Sequence, residues 1–349
     1  MAETLLYRHI VIKDIPTSQL SLLQRTLSTK RQPNGAPAGA WTRKITVTAQ
    51  LDLELVLNAA YHRDLRDVLL LCPNLESFCI GGRPESLYNR PETTEDILKA
   101  LPDHLRMCAW SDLGEPVRLG LFRDLCSFFS MLKHLQLRNL WGYGNQQVII
   151  TLPRLRSLSF SSWITTCPIA QWDLPSLVWL EISVEDDFGL EELGSFFFEH
   201  GKKLEFLQLV PGDLQPPWLY FGDCYLHSIR IPLNFFRYFP LLSCFSVDPS
   251  WMQLIDIEEL DKKPAVPYEN LTTLHMLQPN PQNGLNNSCG QFVRSFFVAH
   301  QNLFPRLKVI SFTIEGGYIV VPMFYPWFCF GVKPTREVLD RLEDVFSFD

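Results

Sequence analysis

The chain has 349 residues, of which 46% are hydrophobic and 20% charged, and it contains 25 Phe and 9 Trp. This composition supplies a large apolar core and excludes an intrinsically disordered protein. At this length, the sequence predicts either two domains or one elongated array in which each unit packs on its neighbours. The formal net charge is −7 and no run of Lys and Arg exceeds two residues, so we expect no nucleic-acid partner.

The sequence also predicts a soluble protein of the cytoplasm or the nucleus. Residues 1–12 lack the basic segment and long apolar stretch of a secretion signal. The most apolar segment, 318–332, contains Pro322 and Pro326, so we expect no membrane-spanning helix. The nine cysteines never occur at C-x-x-C spacing, which predicts neither a zinc site nor a disulfide framework and favours a reducing compartment.

Residues 1–66 are predicted to cap the N-terminal end of an array. Residues 5–12 and 44–48 have the apolar pattern of strands, and 18–28 has the spacing of an amphipathic helix. The terminal units of an array have a neighbour on one side only, so we expect them to differ from the units between them.

Residues 67–316 contain a repeated phrase, Leu-x-x-(apolar)-x-(apolar). The spacing of its copies centres on the 20–29 residues typical of leucine-rich repeats. A proline precedes the leading leucine by two residues in five copies, where it can end the preceding segment without the loss of a needed N–H. The leading residues are Leu75, Leu105, Leu132, Leu155, Leu177, Leu204, Leu226, Leu242, Leu271 and Leu307.

Each phrase predicts a short strand with alternate side chains buried, and the segments between the phrases predict helices or loops. Helical spacing of apolar residues occurs at 119–129, 190–197 and 292–300. The predicted fold class is therefore α/β: an irregular leucine-rich-repeat solenoid of about ten repeats, with parallel strands on the concave face. The alternative is an ordinary α/β fold. Residues 317–349 are predicted to form a C-terminal cap, with a helix over 335–346.

Four stretches of the sequence resemble fungal F-box proteins of the leucine-rich-repeat type: LLYRHIVI, SQLSLLQRTLS, TRKITVT and LPDHLRMCAW. The resemblance implies a protein whose repeats capture the substrate of a cullin-based ubiquitin ligase. The F-box that binds the linker subunit of the ligase would lie before LLYRHIVI, where only residues 1–4 stand. Binding of the linker subunit is therefore not expected of this sequence. Either it is truncated, or the protein is a relative that retains only the binding half.

The sequence predicts a protein partner on the concave strand face, because residues that flank the buried positions of each strand line that face. Aromatic and Arg side chains beside polar ones are typical of interface hot spots. The alternative for Trp179 and Phe206 is that they fill a local apolar patch, and the aromatic segment 323–330 is a second candidate surface or part of the cap. The predicted partner-binding residues are Gln136, Arg138, Trp179, Glu181, Phe206, Gln208, Arg230, Asp248 and His275.

No catalytic motif is present. The sequence lacks the glycine-rich phosphate loops, the G-x-S-x-G nucleophile turn and the H-E-x-x-H zinc motif. The acidic cluster at 185–187 precedes a predicted helix, where it serves as a helix cap rather than a metal site. We therefore predict no enzyme activity, no cofactor and no metal. The remaining alternative to a protein-binding module is a structural scaffold.

Overall fold

The structure of the protein is a computed structural model that describes fourteen ranges of residues. These are 7–13, 17–29, 35–49, 59–82, 91–110, 116–125, 129–140, 149–162, 168–184, 193–211, 233–247, 267–276, 303–314 and 317–322. The chain divides into two compact units, Met1–Val178 and Trp179–Asp349. The predicted helices at 292–300 and 335–346 lie outside the described residues.

The first unit alternates strands with helices. Its strands pair in chain order, and every pair from β1 to β6 is parallel. The described strands are β1 (His9–Lys13), β2 (Lys44–Ala49), β3 (Ser77–Gly82), β4 (Met107–Trp110), β5 (His134–Leu140) and β6 (Ser157–Ser162). The described helices are α1 (Thr17–Ser28), α2 (Ala59–Leu70), α3 (Pro91–Ala100) and α4 (Pro116–Leu125), with 3₁₀ turns at Ala38–Trp41 and Pro168–Gln171.

The second unit follows the same order with less α-helix among its described residues. The pairs from β7 to β11 are parallel, and β12 pairs antiparallel with β11. Its described strands are β7 (Trp179–Val184), β8 (Phe206–Pro211), β9 (Cys244–Val247), β10 (Thr273–Met276), β11 (Val309–Ile314) and β12 (Gly317–Pro322). The described helix is α5 (Gly194–His200), and 3₁₀ turns occupy Gly201–Lys203 and Leu233–Tyr238.

A tight turn precedes the strands in both units and explains the recurring proline. The N–H of the leading leucine donates to the carbonyl three residues earlier, as in Leu75 to Cys72 (3.1 Å) and Leu242 to Phe239 (3.1 Å). The proline, for example Pro73, therefore occupies the second position of a β-turn, where its fixed φ is favoured and no N–H is required. The leading leucine is buried below the strand.

Alternate strand residues form the core. In the first unit the register aligns Ile45, Phe78, Cys108 and Leu135 in one buried row. In the second unit, Phe245 of β9 packs edge-on against Phe236 of the 3₁₀ turn, with ring centroids 5.3 Å apart. The buried rows thus face the helices and 3₁₀ turns, as strand periodicity requires when one face is covered.

The fold class is the one that the sequence predicts, an α/β leucine-rich-repeat array. In each unit the strands follow chain order, which excludes the reordered strands of an ordinary α/β sheet. Nine of the ten phrases form a strand that starts two residues after the leading leucine. The phrase at Leu226 is the exception to the predicted order. β8 pairs directly with β9, so no strand lies between them. Residues 226–231 lie outside the described part of the chain.

Candidate partner-binding surface

The strands of the first unit carry two outward rows of side chains between the buried ones. Most of these side chains are half-buried, since each has neighbours about 4.8 Å away on the adjacent strands. His9 and Thr46 join the two rows through a bond of 3.1 Å between Nε2 and Oγ1. The first row is His9, Lys44, Ser77, Met107, His134 and Ser157, and the second is Val11, Thr46, Cys79, Ala109, Gln136 and Ser159.

The outward rows of the second unit begin with two aromatic side chains next to a Glu and Gln pair. Trp179 of β7 is paired in register with Phe206 of β8, and Glu181 with Gln208. The amide Nε2 of Gln208 donates to Oε2 of Glu181 over 3.2 Å. All four side chains are partly exposed. Further along the same rows lie Cys244 and Thr273, then Ser246 and His275.

Six of the nine predicted partner-binding residues lie on these outward rows: Gln136, Trp179, Glu181, Phe206, Gln208 and His275. Arg138 belongs to β5, but its side chain is not among those described, and Arg230 and Asp248 lie outside the described residues. The structure therefore brings Trp179, Glu181, Phe206 and Gln208 into one patch, and whether this patch binds a partner stays a prediction.

Burial controls the ionisation of two groups on the outward rows of the second unit. It lowers the pKa of His275 to about 4 and raises that of the Cys244 thiol to about 12. At neutral pH the imidazole is therefore uncharged and the thiol stays protonated. A general base works best with a pKa near the operating pH, and a nucleophilic cysteine needs its thiolate, so neither group is poised for catalysis.

His134 of the first unit has a different electrostatic environment. Burial lowers its pKa, and the neighbouring cations Lys133 and Arg156 lower it further. The pKa of His9 is lowered in the same way, by burial first and then by Lys44. At both imidazoles, neighbouring cations thus add to the effect of burial on the pKa.

Lys133 and Arg156 belong to a column of residues that the sequence patterns did not predict. The residue directly before each strand is linked to its counterpart on the neighbouring strand by a backbone hydrogen bond. The N–H of Glu76 donates to the carbonyl of Arg43, that of Arg106 to Glu76, that of Lys133 to Arg106 and that of Arg156 to Lys133, each over 2.8 Å. Arg43 in turn donates to the carbonyl of Arg8 over 2.9 Å. We call Arg8, Arg43, Glu76, Arg106, Lys133 and Arg156 the basic column. Its signal in the sequence is the Leu-Arg or Leu-Lys pair at the start of the phrases at Leu105, Leu132 and Leu155, which becomes visible only when the phrases are aligned.

A shallow cleft of about 340 Å³ lies among the helical segments of the second unit, lined by Phe198, Lys202, Arg237 and Tyr238. The ammonium of Lys202 lies 5.4 Å from the centre of the Phe198 ring. No predicted partner-binding residue lines this cleft.

Among the described residues, no group of three or more His, Cys, Asp or Glu side chains could hold a metal ion. The described helices are too short or too polar to cross a membrane.

No protein-family model matches the chain, and no curated protein does either. Among solved structures, the chain is similar to a chain of the Rad7 and Elc1 complex of yeast. The two share 15% sequence identity with a TM-score of 0.32, over 88% of this chain and 87% of the other. A similarity of this size adds nothing to the fold that strand order and register already define.

Proposed function

We propose that this protein is a non-catalytic protein-binding module of the cytoplasm or nucleus, similar to the substrate-recognition half of an F-box ubiquitin-ligase receptor. The observation that carries the proposal is the patch of Trp179, Glu181, Phe206 and Gln208 on β7 and β8. Two partly exposed aromatic side chains beside a hydrogen-bonded Glu and Gln pair combine apolar area with directional polar groups, the mixture that dominates interface energies.

The resemblance of four sequence stretches to fungal F-box proteins of the leucine-rich-repeat type, which does not include the F-box itself, supports the ubiquitin-ligase part of the proposal. Among the described residues, Cys72, Cys79, Cys108 and Cys244 are thiols that form no disulfide, in keeping with a reducing compartment. The substrate would lie on the outward strand rows, with Gln136 contributing in the first unit and His275 in the second. The rival function is a structural scaffold that presents no specific binding patch.

Quantitative affinity purification from cells that express the full chain tests the patch. Partners recovered with the wild type should be depleted at least about tenfold with Trp179→Ala/Phe206→Ala, since loss of a hot-spot side chain costs about 2 kcal/mol or more. Glu181→Lys provides a second variant that removes the bond to Gln208 without opening a cavity. Matched controls are Leu22→Ala and Leu70→Ala, two exposed leucines on helices of the first unit, 62% and 60% accessible.

The leading recovered partner is then purified and its affinity for the same variants is measured by calorimetry. Equal affinity of the wild type and both patch variants would remove this surface from the function. Recovery of a cullin-ligase linker subunit, unaffected by the patch variants, would support the receptor role. A chain that retains no partner specifically would favour the scaffold.

A further inference from the structure

The strand side of the first unit is far more basic than the chain as a whole. Its six described strands, each taken with the two residues before it, carry eight Lys or Arg and one carboxylate, Glu76. The four described helices of the same unit carry equal numbers of the two signs, six of each, and the whole chain has a net charge of −7. A positive field is therefore concentrated on one side of this unit.

The basic column is the most ordered part of this field. Five of its six members are cations, and the continuous chain of peptide hydrogen bonds holds successive members about 4.8 Å apart. The six members at this spacing extend over roughly 24 Å. Val178, whose amide donates to Arg156 over 3.0 Å, ends the column with an apolar residue.

Glu76 partly neutralises the positive charge of its two neighbours in the column and leaves that of the other members unpaired with a carboxylate of the column. Its carboxylate lies 3.4 Å from the guanidinium of Arg43 and 4.0 Å from that of Arg106. None of the described ion pairs includes Lys133 or Arg156, and Arg156 is exposed. Burial, and after it these two cations, lower the pKa of the neighbouring His134. Lys133 and Arg156 are therefore the part of the column best placed to attract an anionic partner.

We propose that the basic column of the first unit is a docking surface for an extended acidic segment of a partner protein. This inference does not rest on the proposed role of the Trp179 patch. An extended peptide rises about 3.3 Å per residue, so a segment of roughly seven residues matches the length of the column. Its Asp or Glu carboxylates would pair with the guanidinium and ammonium groups, while its backbone runs along the column, across the strands.

The outward rows favour a polypeptide over a nucleic acid. A single strand of nucleic acid binds through cations combined with aromatic side chains on which bases stack. In the described part of the first unit, the two outward rows contain no Phe, Tyr or Trp. Carboxylates need only the charges and donors that the column supplies.

Fluorescence anisotropy with a labelled octaglutamate peptide and the full chain tests the proposal. We expect binding at about 20 mM salt that weakens steeply by about 200 mM, because exposed charges are screened over this range. Lys133→Glu/Arg156→Glu should weaken binding at least about tenfold, since two attractive contacts become repulsive. Lys133→Gln/Arg156→Gln should give an intermediate loss.

The matched control is Arg25→Glu/Arg63→Glu, which makes the same change in net charge at exposed positions of α1 and α2. Its affinity for octaglutamate should stay within about twofold of the wild type, because these positions are not members of the column. Equal losses in the two double variants would show attraction by net charge alone and overturn the proposal. So would absence of peptide binding to the wild type, or tighter binding of a twelve-nucleotide oligothymidylate through the same two residues. Circular dichroism verifies that each variant is folded.

Discussion

The two units have interiors of the same design and differ in the residues on their strand faces. In both, a β-turn leads into the strand, the leading residue is buried, and alternate strand residues form the core. The strand segments of the first unit, each taken with the two residues before the strand, carry eight Lys or Arg and one carboxylate. Those of the second unit carry Lys308 against Glu181, Glu205 and Glu315, and the first two of its strands begin with Trp179 and Phe206. Packing constrains the buried rows closely, while half-exposed rows can change chemistry at little cost in stability.

One detail shows how closely the interiors correspond. Gly39 and Gly201 occupy the same place in their repeats, the first position of the β-turn, and accept from the amides of Thr42 and Leu204 over 3.1 Å. A Cβ on Gly39 would collide with the backbone carbonyl of Leu71, and one on Gly201 would lie 2.5 Å from the carbonyl oxygen of Tyr238. Glycine is required here by the approach of the next repeat rather than by its φ angle.

The largest expected effect concerns the close backbone packing at these two glycines. Gly39→Ala and Gly201→Ala should each lower the free energy of unfolding by about 3 kcal/mol, because backbone of the next repeat must move to admit the methyl group. Chemical denaturation of the full chain, together with hydrogen exchange of the strand amides in each unit, measures the loss.

Gly120→Ala is the matched control for the glycine variants. Gly120 lies in α4 with nothing within 4 Å of an added Cβ, so alanine should leave stability unchanged or raise it by up to about 1 kcal/mol. A neutral result for Gly201→Ala beside a large loss for Gly39→Ala would show that the two units do not share this packing.

A smaller effect concerns His275 of the second unit. Burial lowers its folded pKa to about 4, below the value of 6.5 for an exposed histidine. The neutral ring is therefore favoured in the fold above pH 6.5, and this contribution is lost as the pH falls toward 4. Relative to His275→Gln, the wild type should lose about 1–3 kcal/mol between pH 7 and about pH 4.5.

Urea denaturation at several pH values measures this difference, with His104→Gln as the control. His104 lies in a turn beside Asp103 with 41% of its side chain accessible, and it provides the matched histidine-to-glutamine substitution at an exposed position. Parallel curves for the wild type and His275→Gln would contradict burial of this imidazole.

The smallest effect sharpens the electrostatic contrast between the units. Lys133 and Arg156 contribute to the lowered pKa of His134, whereas burial alone lowers that of His275. Raising the salt from about 20 to about 300 mM should therefore raise the pKa of His134 and change that of His275 less, because salt screens charges but does not alter burial. NMR titration of histidine-labelled protein measures both, and equal responses would count against the basic column.

Much of the fold was predictable because hydrophobic periodicity is local in the sequence. The leading leucines, the apolar pair that follows each of them and the preceding prolines predicted nine strands with their starting residues. The strands of the N-terminal region were also predicted, although the structure shows them paired in the same parallel ladder as the repeats. The phrase at Leu226 lies outside the described residues.

Sequence alone thus determined the repeat, the class of fold and which strand residues face outward, since alternation and turn chemistry are fixed by nearest neighbours along the chain. Only the tertiary structure decided which outward residues are neighbours, because that depends on register between strands 20 to 40 residues apart. Register placed Trp179 beside Phe206 and assembled Arg8, Arg43, Arg106, Lys133 and Arg156 into one column. Charges too scattered to form a run in the sequence act together because strand pairing brings them within about 5 Å of one another.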